Sequence, residues 1–95
     1  MDGLVVTWDV KVYFDKATIC ALHKPSLQSA VKTIADVALA TQKLNKQSFS
    51  NCNPERVEVY QTVSNEDGGT AKIRADYKDD YVNGLVKSLL VDIIA

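Results

Sequence analysis

One histidine, two cysteines and two prolines leave this 95-residue chain poor in the side chains that carry most catalysis and metal binding. Acid–base and nucleophilic catalysis need a titratable group with an arranged partner. His23 stands alone ahead of Pro25 and reads as a surface or helix-capping residue. Cys20 and His23 share a C-x-x-H spacing, but a tetrahedral zinc site wants four N/S ligands, and Cys52 is the only further candidate. Two cysteines are too few for a disulfide scaffold, so two reduced thiols in a reducing compartment are expected. A basic excess is also missing: eleven Lys and Arg face twelve Asp and Glu, for a net charge of -1. That balance argues against a nucleic-acid module, whose phosphate contacts each need a cation. No apolar run approaches the roughly 20 residues that span a bilayer. Met1-Asp2-Gly3 is acidic and leads into an alternating run, so no signal peptide is expected. Gly68-Gly69 joins two strands, whereas a phosphate loop opens a helix. The expectation is no catalytic residue, no metal ligand and no cofactor, in a soluble cytoplasmic protein that is not an enzyme.

What is present is strong patterning. Leu4 to Phe14 alternates with period two and is rich in β-branched and aromatic residues. Val6, Trp8, Val10, Val12 and Phe14 fall on one face of a strand. Val5, Thr7, Asp9, Lys11 and Tyr13 fall on the other. Ile19-Cys20-Ala21-Leu22 is apolar without clear periodicity, and reads as a strand extension past a bulge or as a loop, with a strand folded back on the first as the alternative. Pro25-Ser26 signals a helix start, because proline has no N–H to lose there. A helical stripe of Leu27, Ala30, Val31, Ile34, Val37, Ala38, Thr41 and Leu44 then runs to about Lys46. Residues 47–54 form a loop by composition, with Phe49 and Cys52 tucked beneath it.

Arg56 to Ser64 alternates again, and Asp67-Gly68-Gly69 supplies a hairpin turn. Thr70 to Tyr77 returns as a strand, with Ala71, Ile73, Ala75 and Tyr77 facing inward. Asp79 or Asp80 caps a last helix whose apolar positions are Tyr81, Val82, Leu85, Val86, Leu89, Leu90, Ile93 and Ile94. Asp76, Asp79 and Asp80 are explained by the positive end of that helix. The order β-α-β-β-α predicts one α+β domain over residues 1–95: a two-layer sandwich, ferredoxin-like without its last strand, with a three-stranded sheet and two helices on one face. Its predicted core is Trp8, Val10, Val12, Ile34, Val59, Ile73, Leu85 and Leu89.

The stretch Val57-Glu58-Val59-Tyr60-Gln61, its hairpin, and Ala75-Asp76-Tyr77-Lys78-Asp79-Asp80-Tyr81-Val82 resembles small dimeric ferredoxin-like barrel proteins of the antibiotic-biosynthesis monooxygenase type. The likeness is a strand, a hairpin, a strand and an acidic helix cap, and it carries over no catalytic motif. The chain stops where those proteins have a further strand.

The leading functional expectation is a non-enzymatic assembly module that works through protein–protein contacts, most simply as a homodimer. The first strand presents Val5, Lys11 and Tyr13 along an uncovered edge, and the last helix offers Leu90, Val91 and Ile94. A small-molecule-binding or catalytic ferredoxin-like dimer is the alternative, with a pocket at Trp8, Tyr13 or Tyr81. RNA binding is the second alternative: Lys11, Tyr13, Tyr60, Lys72 and Arg74 form a basic–aromatic sheet face, opposed by Asp9, Glu58 and Asp76. Charge pairing across a wet face is the simpler reading of those residues, which makes a nucleic-acid partner the weaker expectation.

Overall fold

The computed structural model of the chain describes residues 3–14, 17–45 and 54–94, with the side chains of 42–45 and 91–94 outside the described set. The elements run β1 (Val5–Tyr13), β2 (Thr18–Lys24), α1 (Leu27–Asn45), β3 (Arg56–Ser64), β4 (Thr70–Arg74), a 3-10 turn (Asp76–Lys78) and α2 (Asp79–Ile94). The four strands form one antiparallel sheet in the order β2-β1-β3-β4.

The fold is therefore α+β as expected, but the sheet has four strands, not three, and its order is not ferredoxin-like. The correction comes from the apolar patch at Ile19–Leu22. It folds back along β1, burying Ile19 and Ala21 beside Val12 and Val10. The edge of β1 from Trp8 to Tyr13 is thus covered by β2, and is not the free edge expected for an eleven-residue strand.

Between β1 and β2 the register shifts. Val10 pairs with Ala21 and Trp8 with Lys24, so Leu22 and His23 together oppose Asp9. This is a β-bulge. His23 takes a left-handed conformation there, φ 56°, and its backbone N–H donates to Asp9 Oδ1 at 2.8 Å. The bulge ends β2 and turns the chain into α1. Ser26 then caps that helix, its Oγ accepting the Ser29 N–H at 3.1 Å.

Helix α1 buries Leu27, Ala30, Val31, Ile34, Ala35 and Ala38. Val37, expected on that stripe, is exposed, and Ala35 takes the inward place. In α2 the buried stripe is Val82, Val86 and Leu90, with Leu85 and Leu89 half-buried against the core. Small alanines let α1 lie close against β2 and β1, while α2 packs on β3 and α1.

Val10, Val12, Ile34 and Val59 form the centre of the core, and Trp8 packs at its margin. Ile73 does not belong to it and is 52% exposed. Tyr77 is likewise not an inward strand residue: β4 ends at Arg74, and Tyr77 sits in the 3-10 turn, exposed. The β3–β4 hairpin is as expected. Asn65 Oδ1 accepts the N–H groups of Asp67 and Gly69, and Gly68 supplies the positive φ of 84°. The expected loop at 47–54 with Phe49 and Cys52 lies, save Pro54, outside the described residues.

Both helices begin at mid-sheet. α1 follows Lys24, which is level with Trp8. α2 follows Ala75, whose N–H bonds the Val59 carbonyl, level with Val10. Burial shows that they cover the half of the sheet that holds Val10, Val12, Phe14, Ile19 and Val57. The other half projects bare on the helix side. The radius of gyration, 14.5 Å, exceeds the roughly 12.4 Å of a compact chain of this length, and the principal extents are 46 × 25 × 21 Å.

Candidate interaction surfaces

The projecting half carries an apolar surface on its helix side. Alternation along β1 places Leu4 and Val6 there, 47% and 41% exposed. Register then sets Val6 beside Val63 and Val63 beside Ala71, with Gln61 beside Ile73. No helix among the described residues lies under them. A shallow open depression lies nearby, lined by Leu4, Val63, Asn65, Gly69 and Ala71. From Val5 to Thr7 the far edge of β1 is also unpaired among the described residues, because β2 pairs with β1 only from Trp8 onward.

The opposite face of the sheet carries no helix among the described residues. Here the odd-numbered residues of β1 meet the even-numbered residues of β3: Tyr13 beside Arg56, Lys11 beside Glu58, Asp9 beside Tyr60, Thr7 beside Thr62. Tyr13 lies under Arg56, whose Cζ is 4.2 Å from the ring centroid, and Lys11 Nζ stands 5.4 Å away. Tyr60 is flanked by Lys72 at 4.7 Å and Arg74 at 5.3 Å. The Tyr13 hydroxyl donates to Glu58 Oε1 at 2.6 Å. That hydrogen bond, aided by Arg56, Arg74 and Lys11, holds the Glu58 carboxyl below its ordinary pKa. The Tyr13 oxygen also faces the Lys11 ammonium and raises its pKa.

Two carboxylates bolt this face to its neighbours. Asp9 is only 4% exposed although it lies on the open side. It accepts the His23 N–H of the bulge, and Lys72 Nζ stands 3.3 Å from its other oxygen. The His23 imidazole is solvent-exposed, 4.0 Å from Asp9. Asp79, at the start of α2, accepts two hydrogen bonds from Arg74, at 2.9 and 2.5 Å. Arg74 donates to the Val59 carbonyl too, and Asp79 accepts the Val59 N–H at 3.2 Å. This hydrogen bonding from Asp79 raises the Arg74 pKa. Asp79 thus ties α2 to the sheet, beyond the helix-end role expected for it.

The six residues expected at an interface are scattered. Val5 is 59% exposed on the open face of the projecting half. Lys11 and Tyr13 are half-buried on the same face, beneath no free edge. Leu90 is buried in the core, 5% exposed, so it offers no outward patch. The side chains of Val91 and Ile94 lie outside the described set. Trp8 and Tyr13 occupy opposite faces of β1, and Tyr81 is exposed on α2, so the three do not line one pocket. Sequence reasoning missed Leu4, Val6 and Ile73 as surface residues, because alternation reports which face a residue takes and not whether a helix reaches it.

Cys20 is a free, exposed thiol beside Lys11. Among the described residues no group of three His, Cys, Asp or Glu side chains is placed to hold a metal ion, and no helix is long and apolar enough to cross a membrane. Compared with protein-family models, curated proteins and solved structures, the chain matches none of them. The resemblance over Val57–Val82 therefore rests on those residues alone.

Proposed function

We propose that this protein is a non-enzymatic assembly module whose partner is a second copy of itself. One observation carries the reading: the helix side of the sheet runs on past its helices and leaves Leu4, Val6 and Ile73 exposed beside Val63 and Ala71. A contiguous apolar surface on a small domain marks a contact site. The unpaired edge from Val5 to Thr7 adds backbone groups with no charge and no proline to block pairing. A two-fold axis beside this end brings the same surface of a second copy against it. The free thiol of Cys20 supports placing the module in a reducing compartment such as the cytoplasm.

Light scattering on the purified chain at about 100 µM is expected to give twice the 10.4 kDa chain mass. Val6→Glu puts a charge into the contact and is expected to return the mass to one chain. A single-chain mass for the unaltered protein overturns the proposal.

A further inference from the structure

We infer that the open face of the sheet is a binding surface for single-stranded nucleic acid, with Tyr13 and Tyr60 as the residues on which bases stack. This is independent of the assembly reading, which uses the other face.

The argument begins with placement. Of the four tyrosines in the chain, these two sit on β1 and β3, the adjacent central strands, on the side away from both described helices. Tyr13 is level with Arg56, four residues from Tyr60 on the neighbouring strand, so the two positions are about 14 Å apart. A single strand laid obliquely over the sheet passes both. Each ring lies under two cations, Arg56 and Lys11 at Tyr13, Lys72 and Arg74 at Tyr60, so a base stacks there as these side chains swing from the ring to its phosphates. Aromatic rings that take bases, with cations beside them that take phosphates, are the two parts of sequence-tolerant single-strand binding.

Charge supports the same occupant. The acidic balance of the chain does not hold on this face: Lys11, Arg56, Lys72 and Arg74 outnumber Asp9 and Glu58 on the strands. Asp79 occupies Arg74 and Asp9 occupies Lys72. Among the described strand residues, Lys11 and Arg56, around Tyr13, are opposed by Glu58. The structure thus assigns phosphate contacts first to the Tyr13 end. A duplex is a poor fit, since its bases are stacked on one another and cannot lie on the rings.

Fluorescence anisotropy of a labelled oligothymidylate of about twelve nucleotides tests this on the whole chain. Binding is expected to weaken with salt, with a log–log slope of about -1.4 for two phosphate contacts and about -2.8 for four. Tyr13→Ala and Tyr60→Ala are each expected to weaken it about fivefold or more, and Tyr13→Phe and Tyr60→Phe to leave it within about twofold. Arg56→Glu, at an exposed position over the Tyr13 ring, keeps both tyrosines and is expected to weaken binding and flatten the salt slope, and circular dichroism verifies that each variant is folded. No binding at low salt up to about 100 µM protein overturns the inference. So does equal competition by inorganic polyphosphate, or by the same sequence as a duplex, because either result removes base stacking.

Discussion

The two ends of the sheet's helix-facing surface share one sequence pattern and meet opposite fates. Along β1, Val10 and Val12 are wholly buried while Val6 and Leu4 are 41% and 47% exposed. Along β3, Val57 and Val59 are buried while Val63 is only half-buried. Residue type does not distinguish the ends. What differs is that α1 and α2 both start at mid-sheet and cover one end. The contrast teaches that alternation decides the face of a strand, and that the starting points of the helices decide which part of that face becomes core. A surface patterned like a core and left bare is what the proposed assembly would complete.

Truncations at matched chemistry break or sharpen this contrast most. Ile34→Ala, in the covered end, is expected to cost about 2–5 kcal/mol of stability, since Ile34 is fully buried between helix and sheet. Ile73→Ala, measured in the monomeric Val6→Glu background, is expected to cost less than about 0.5 kcal/mol. Urea denaturation reads both. Comparable losses at the two sites would mean that the projecting end is covered within one chain after all.

The boundary between the ends is where β2 leaves β1, and Asp9 closes it. Asp9→Ala removes the acceptor for the His23 N–H and the partner of Lys72. The expected cost is about 1–3 kcal/mol, because a part-buried hydrogen bond to a carboxylate and the Lys72 ion pair are lost together. Asp9→Asn keeps an acceptor and is expected to lose less. Hydrogen exchange localises the effect: the His23 amide is expected to lose protection in Asp9→Ala while the Val59 amide keeps its own. Uniform loss across both amides would make Asp9 a general stabiliser and not a clamp on the bulge.

Much of the covered end was legible in the sequence. Period-two and period-3.6 stripes placed β1, β3, α1 and α2 within a few residues, and Pro25-Ser26 and Asp67-Gly68-Gly69 placed a helix start and a turn. β2 was legible only as an alternative, since Ile19–Leu22 is short and its alternation is broken by the bulge at Leu22-His23, and its pairing with β1 decides for it. The basic–aromatic residues of the open face were legible as a set, but not the cross-strand geometry that sets Arg56 over Tyr13, because Arg56 opened a strand whose partner was unknown. The bare end was hidden for a different reason. Exposure of Ile73 and Val6 depends on where α2 and α1 pass, which is a tertiary fact with no local signal.

The smallest expected effect lies on the open face above the covered end, in the Tyr13–Glu58 hydrogen bond. The Glu58 carboxyl has a folded pKa below its ordinary value of 4.5, chiefly because the Tyr13 hydroxyl donates to it. The unfolded chain therefore takes up this proton before the folded one does as the pH falls. The stabilisation is present in full above the unfolded value, and is lost as the pH drops through the lower folded value. Glu58→Gln removes the titration, and Tyr13→Phe removes its cause. Stability followed from about pH 6 to pH 3 is expected to fall more steeply in the unaltered protein than in either variant, with the gap between the curves closing below about 4.5. Both groups are half-buried at the sheet surface and still screened by solvent, so the gap is expected to shrink in high salt. Parallel curves at low salt would show that the Tyr13–Glu58 contact does not persist in solution, and would leave the Tyr13 ring free to take another orientation on the open face.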